Sequence, residues 1–472
     1  MIEKKTRKSK ILIFDSPYFR LLVLAMGIFM MGMDTYIFSP ALVTIVKYFN
    51  TSYKWVTLTI TVYLLFSTAV MPLGGKLADV YGRKRIFVIG IIFFTFGSFL
   101  SSLSWDIFSL IMFRAIQALG GGIILPSALS AMSSYAPKGK QGKTMGALMS
   151  AGVMATIIGP NIGGYIIEKF GWRYIFYINI PIGLLAILLA MQFSETYSSS
   201  KRKIDIIGAI ILGLSLATLL LGLIGLESLP FYSILVFPYF LITSILVLTF
   251  VFYESHISEP LLNLHLLSRK EILSLNVAKY LTFMAVSSTV MFVPTYTQLI
   301  LHSGIQLSGT ILTPYTATIF VMSIAGGILI DEIGPKPIIL VGLLIASLGF
   351  LLLSYFVTSY ISLIVILMII AVGWGTSSGA FQVIVLISSP DSDKGTSSAV
   401  LNTFKGIGGM TTPIIGGYFL TNATNKIYSM NTAFTSLFMT ACLLLIVADF
   451  ILLVVTIIPK LESKIKLISF YN

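Results

Sequence analysis

The chain is short of charge. Only 10% of its 472 residues are Asp, Glu, Lys or Arg, against about 25% in a soluble globular domain. A surface so poor in charge cannot all meet water, which excludes an ordinary soluble protein. Thiol chemistry is almost missing too. A single cysteine, Cys442, leaves no intramolecular disulfide to form. The three histidines, His256, His265 and His302, are scattered without metal-ligand spacing, so no metal is expected. No nucleophile–base pair or dinucleotide loop stands out, and neither an enzyme activity nor a cofactor is expected. Gly142-Lys143-Thr144 has the ending of a phosphate-binding loop. The first glycine of that loop would fall at position 137, which is proline. ATP hydrolysis is thereby rejected, and an ion gradient remains as the energy source.

What the chain has instead is hydrocarbon. It is 56% hydrophobic with a mean hydropathy of +0.95. A helix crosses a bilayer with about 20 largely apolar residues. Breaks at charges, Gly/Pro and Asn/Ser clusters leave fourteen such spans: 18–40, 55–73, 85–103, 107–131, 143–165, 174–193, 204–224, 231–253, 273–296, 311–330, 337–357, 361–386, 396–420 and 436–458. The pair 204–224 and 231–253 also suits a re-entrant hairpin. The basic start, Met1 to Lys10, precedes a stretch long enough to span and shows no cleavage pattern. It reads as the flank of a retained first helix.

The net charge of +13 has a topological explanation. With the N-terminus placed in the cytoplasm, only Lys47, Lys54, Lys169, Arg173 and Lys426 fall outside. Arg114, Lys279 and Lys405 lie within spans. The other 23 of the 31 basic residues fall inside. This asymmetry is the positive-inside rule. It supports an even number of spans with both termini cytoplasmic in a plasma membrane, and it removes nucleic acid from the expected partners.

The chain also repeats itself. Gly75-Lys76-Leu77-Ala78-Asp79-Val80-Tyr81-Gly82-Arg83-Lys84 shares the pattern G-x-L-x-D-x-x-G-x-K with Gly327 to Lys336, offset by 252. Pro160-Asn161-Ile162-Gly163-Gly164-Tyr165 returns as Pro413 to Tyr418, offset by 253. Both copies of each pattern fall on one side of the membrane, so the repeat is parallel. The expectation is an all-α membrane protein: a six-helix bundle in 1–200, a linker with two additional helices in 201–262, and a second six-helix bundle in 263–472.

Four patterns carry chemistry or identity. The loop Gly75 to Arg85 combines turn glycines (Gly75, Gly82) with Asp79 and Arg83, which can pair. Gly152, Gly159, Pro160, Gly163 and Gly164 give the span 143–165 a small-residue face for close packing. Gly171-Trp172-Arg173-Tyr174-Ile175-Phe176-Tyr177-Ile178-Asn179-Ile180-Pro181 reads as structural, with interfacial aromatics and a bent helix. Asp34 and Arg114 lie within spans, where a charge is costly and needs a partner. Asp34 sits about 9 Å below the outer end of its span and Arg114 about 10 Å below that of its own, so the two can meet. Lys405 and Asp449 form a second possible pair, each about 13 Å from the inner face, read as a structural bridge. Lys279, about 9 Å from the cytoplasmic end, reads as a snorkelling lysine.

On these residues the chain resembles the major facilitator superfamily, and within it the fourteen-helix drug:proton antiporters. The likeness covers nearly the whole chain. It implies two six-helix bundles plus two inserted helices, rocking around a central site. It implies that the Gly75–Arg85 loop is a cytoplasmic latch and that the Gly159–Gly164 pattern marks exporters. Asp34 and Arg114 match the family's membrane acidic residue and helix 4 arginine, which handle proton and substrate. Tyr36, Gln117, Tyr280, Tyr296, Trp374 and Gln382 are cavity candidates by the same likeness. The implied function is proton-coupled efflux of small lipophilic or cationic drugs. The alternative is a dedicated exporter of one substrate such as tetracycline, an amino acid, a lipid precursor or a siderophore. The expected partners are a small-molecule substrate, protons and the bilayer, with the chain acting as a monomer.

Overall fold

The structure, a computed structural model, describes residues 16–135, 141–196, 205–226, 233–257, 269–389 and 394–457. The basic stretches at 1–15 and 201–203, with Lys138, Lys140, Lys460, Lys464 and Lys466, lie outside these residues.

Each of the fourteen expected spans contains a helix among the described residues. They are α1 (Pro17–Ile37), α2 (Tyr53–Tyr81), α3 (Arg83–Ser102), α4 (Ile107–Tyr135), α5 (Gln141–Phe170), α6 (Asn179–Ala190), α7 (Ile206–Leu226), α8 (Phe237–His256), α9 (Lys270–Leu299), α10 (Leu312–Ile333), α11 (Pro335–Tyr355), α12 (Tyr360–Ser388), α13 (Lys394–Thr424) and α14 (Met430–Leu452). Lipid offers no hydrogen bonds, so a spanning chain must satisfy its backbone internally, and an uninterrupted helix does so. Twelve helices among the described residues are long and apolar enough to cross a membrane. The other two are exceptions for physical reasons. The α6 segment is broken between Tyr177 and Asn179, so Tyr174–Ala190 is short. The α13 helix carries Ser397, Ser398, Asn402, Thr403, Lys405, Thr411 and Thr412, which lower its apolarity. Helices α7 and α8 have 21 and 20 residues, full spanning length rather than re-entrant halves. After α1 a turn at Ser39–Ala41, holding Pro40, leads into a further helix at Leu42–Phe49.

The described residues divide into two compact units. One is drawn from Met1–Thr51, Leu58–Tyr253 and Ile257–Leu261, the other from Ser52–Thr57, Glu254–His256 and Leu262–Asn472. In the first, α1 packs on α5, α4 and α6, while α3 packs on α4 and α6. Its core gathers Leu24, Met30, Phe87, Ile91, Phe94, Ile124 and Ala186. In the second, α9 packs on α13 and α14, and α11 on α12 and α14. The pairings repeat in order, α1/α5 as α9/α13 and α3/α4 as α11/α12.

The repeat holds to the residue where helices cross. A Cβ on Gly120 would stand 2.4 Å from Gly90 O and 2.3 Å from Phe94 N; one on Gly373 would stand 2.4 Å from both Gly342 O and Ala346 N. Those three residues of α11 and α12 are the α3 and α4 residues displaced by 252 or 253. No side chain fits such an approach, so glycine is required at both crossings. Large apolar side chains such as Phe93, Phe96, Leu184, Leu188, Ile324 and Ile328 remain exposed, as lipid-facing surface requires.

Candidate functional site

The first unit closes on a buried polar cluster. Asp34 (α1) and Arg114 (α4) are each 1% exposed. Arg114 Nη1 donates to Asp34 Oδ2 at 2.5 Å. The other carboxylate oxygen, Oδ1, accepts from Gln117 Nε2 at 2.8 Å and from Asn179 Nδ2 at 2.9 Å. Arg114 Nη1 also donates to Gln117 Oε1 at 2.8 Å. Ser98 Oγ on α3 accepts from Gln117 at 2.7 Å and Asn179 at 3.2 Å. The guanidinium lies 4.2 Å from the Tyr63 ring centre, 5.4 Å from Phe38 and 5.6 Å from Phe176. Five helices thus contribute to one cluster, three of them (α1, α4 and α6) meeting at the carboxylate, and the aromatic faces supply further cation–π stabilisation. A buried charge survives only when paired and hydrogen-bonded. Here Asp34 has three donors, while Arg114 Nε and Asn179 Oδ1 remain without a partner.

Helix α5 presses its small residues onto the same turn of α1. A Cβ on Gly163 would meet Ile37 O at 2.5 Å, and one on Gly159 would meet Met33 O and Tyr36 Cβ, both at 3.2 Å. Pro160 and Gly164 are buried beside them, and a Cβ on Gly152 would stand 3.5 Å from Ile28 Cγ2. The small-residue pattern therefore brings the α5 backbone against the residues that flank Asp34, Tyr36 among them.

The Gly75–Arg85 loop forms a network of its own. Arg83 donates to Asp79 Oδ1 through Nε at 3.1 Å and Nη2 at 2.9 Å. Ser130 Oγ on α4 donates to the same oxygen at 2.7 Å, and Arg83 Nη1 donates to Ser134 Oγ. Gly82 turns the chain with φ +108°, which opens the N-terminus of α3 to Glu195. The Glu195 carboxylate accepts from Lys84 N at 2.8 Å and Arg85 N at 2.9 Å. A Cβ on Gly75 would stand 3.6 Å from Pro126 Cβ.

The second unit departs from expectation. Asp449 Oδ1 is buried without a hydrogen-bond partner, and no ion pair joins it to Lys405 among the described residues. The depths agreed, but lateral direction on each helix decides contact, and a one-dimensional depth argument omits it. Lys279 does not snorkel. It is 6% exposed, with Nζ 4.7 Å from the Trp374 ring centre and 4.6 Å from Phe381. Lys405 Nζ lies 4.8 Å from the Phe283 ring. The other cavity candidates scatter. Tyr280 lends its carbonyl to the α9/α13 crossing, 2.4 Å from a Cβ on Gly408. Tyr296 packs edge-on to Phe434 at 5.1 Å, a packing role. Gln382 donates to Ser398 Oγ at 2.8 Å. Only Gln117 joins Asp34 directly.

Three members of the cluster were missed from sequence: Ser98, Asn179 and Tyr63. The signal for Asn179 was present. It belongs to the Tyr177–Pro181 stretch read as purely structural, yet an amide just inside an apolar helix should have prompted a search for a partner.

A sequence profile of the Major Facilitator Superfamily matches residues 24–413 and 280–469, and the chain belongs to that superfamily. Multidrug transporter protein MdtP of Bacillus subtilis (strain 168) is 33% identical over 302 residues, 64% of this chain and 55% of that protein. Multidrug resistance protein 3 of the same organism is 31% identical over 436 residues, covering 89% of this chain and 83% of the relative. Among solved structures, a D-xylose-proton symporter superposes with a TM-score of 0.67 at 15% identity, covering 92% of this chain and 97% of its own. That likeness concerns the fold alone. The chain is a multi-pass membrane transporter of small molecules, not an enzyme.

Proposed function

We propose that this transporter exports small lipophilic drugs from a bacterial cell by proton-coupled antiport, through alternating access, with both termini in the cytoplasm. The observation that carries the reading is the buried carboxylate of Asp34, held by Arg114, Gln117 and Asn179. Protonating it would remove the charge that compensates Arg114. An unpaired buried charge costs about 3–5 kcal/mol, so proton binding and the arrangement of α1, α4 and α6 are coupled. That is what a proton-driven switch needs: a local charge change that biases one of two states. Asp79 and Arg83, tied to Ser130 and Ser134, would stabilise one access state from the loop side. The multidrug names of the relatives support the substrate range, and the basic residues of the inner loops support the orientation.

A second reading, a carrier for one dedicated solute, draws support from the second unit. Among the described residues the buried Lys279 and the half-buried Lys405 have no acidic partner, which favours a substrate with a matching charge over an indiscriminate apolar one.

The deciding experiment is dye efflux from cells expressing wild type or Asp34→Asn at equal membrane levels, with and without an uncoupler. Uncoupler-sensitive efflux that falls at least about tenfold in the variant supports the assignment. Full proton-coupled efflux by Asp34→Asn would remove Asp34 from the coupling step.

A further inference from the structure

The second unit holds two cations without a counter-charge among the described residues. Lys279 on α9 and Lys405 on α13 are brought together by the crossing at Gly408, where a Cβ would stand only 2.4 Å from Tyr280 O. Lys279 adjoins Tyr280, and Lys405 lies three residues before Gly408. Both ammonium groups border one aromatic group. Lys279 Nζ is 4.7 Å from Trp374, the Trp374 and Phe283 rings are 6.3 Å apart, and Lys405 Nζ is 4.8 Å from Phe283. Among the described residues neither lysine forms an ion pair or a hydrogen bond, and Asp449, whose Oδ1 is buried without a hydrogen-bond partner, is not paired with Lys405. Burying one ammonium without a counter-charge is costly, and a second nearby adds like-charge repulsion. Ring faces offset part of this cost and cannot replace an anion. Nor does the repeat itself require these lysines: displaced by 252 and 253, their counterparts in the first unit are Gly27 and Gly152.

We propose that Lys279 and Lys405, with Trp374, Phe283 and Phe381, form a subsite for an amphipathic organic anion, its carboxylate or phosphate between the two ammonium groups and its apolar body on the rings. This deepens the export reading by naming a substrate class, and it rests on that reading only for the assignment of the anion as cargo. Binding is read on purified protein without a gradient, so its failure is distinguishable from failure of proton-coupled efflux.

The test is scintillation-proximity binding to the full chain in a neutral detergent, with radiolabelled 1-naphthylacetate and 1-naphthyl phosphate as probes and uncharged 1-naphthylethanol as competitor. The expected result is saturable binding of at least one anion, with the alcohol at least about tenfold weaker. Lys279→Gln and Lys405→Gln should each weaken the anion about tenfold while eluting as wild type on gel filtration, and Lys279→Arg should hold within about threefold. Phosphatidylglycerol that displaces the anion, where phosphatidylcholine does not, assigns the site to a lipid headgroup. No displacement assigns it to a soluble cargo, and either keeps the subsite. No saturable anion binding up to about 1 mM, equal binding of acid and alcohol, or unchanged binding in both Gln variants overturns it.

Discussion

Around α4 the first unit places Ser98, Arg114 and Gln117 against Asp34 and Asn179. Around α12 the second unit, displaced by 252 or 253, places Phe350, Leu367 and Ile370, all fully buried, and Val286 stands at the Asp34 position. The helix crossings match to the residue at Gly120 and Gly373, while the chemistry does not. One unit has spent its buried polarity on a closed, neutral ion pair. The other is hydrocarbon at that place and carries lysines, without an ion pair among the described residues, where the first has glycines. Fold and function have thus separated along the chain. Close backbone approaches must be kept for the bundle to form, whereas the side chains beside them are free to differ.

The largest effect should come from opening the ion pair. Arg114→Leu leaves Asp34 charged and buried, and should cost about 3–5 kcal/mol, read as a large fall in melting temperature of the purified protein. Combining it with Asp34→Asn should recover most of that loss, since no buried charge remains. The second unit should answer with the opposite sign. Lys279→Leu removes an uncompensated ammonium and loses one set of ring contacts, so stability should hold or rise by about 1 kcal/mol. A fall as large as that of Arg114→Leu would mean that Lys279 has a structural partner, and the contrast between the units would collapse.

The two copies of the loop pattern differ in the same way. Gly82 and Gly334 both have positive φ, +108° and +85°. A Cβ on Gly82 would stand 2.7 Å from Glu195 Cδ, whereas one on Gly334 meets nothing within 4 Å. Gly334→Ala should cost the backbone strain alone, about 1–2 kcal/mol. Gly82→Ala adds displacement of the carboxylate that caps α3, worth about another 1 kcal/mol. Hydrogen exchange at Lys84 and Arg85 should accelerate in the second variant beyond its global destabilisation. Equal melting temperatures for the two variants would show that Glu195 is not a stabilising cap.

Much of this was legible in the chain, for identifiable reasons. Span positions follow from hydropathy because lipid tolerates so little polarity, and each of the fourteen contains a helix among the described residues. The Asp34–Arg114 contact followed from depth because each charge had a single plausible partner. Depth failed for Lys405 and Asp449, since it says nothing of which way a side chain points around its helix. Lys279 was misread because a terminal position permits snorkelling without requiring it, and the Trp374 and Phe381 rings offer an alternative berth. Asn179 carried a signal, an amide just inside an apolar helix, that did not name its partner, and Ser98 was invisible because single hydroxyls in membrane helices usually bond their own backbone, as Ser127 does to Ile123 O. The role of Gly82 was readable only in half: a turn glycine was evident, but Glu195, more than a hundred residues on, was not.

The smallest effect distinguishes the units at their helix starts. Asp106 opens α4 and Ser359 opens α12, again displaced by 253. Asp106 Oδ1 accepts from Ser109 N at 2.7 Å, and Ser109 Oγ accepts in return from Asp106 N at 3.1 Å. Ser359 Oγ accepts from Ser362 N at 3.2 Å, and Ser362 Oγ from Ser359 N at 2.9 Å. The boxes are geometrically alike, but only one titrates. The Ser109 backbone N–H and hydroxyl hold the Asp106 carboxyl below its ordinary range. A carboxylate with a depressed folded-state value stabilises the fold above the unfolded value, near pH 4, and loses that contribution as pH falls through the folded one. Acid should therefore fray the first turn of α4 and leave that of α12 intact. Amide exchange of Ser109, corrected for intrinsic rate, should rise relative to that of Ser362 between about pH 5 and 3, and Asp106→Ser should abolish the difference. A parallel response of the two amides would show that the exposed cap is already satisfied by water, and that the two starts differ in sequence without differing in energy.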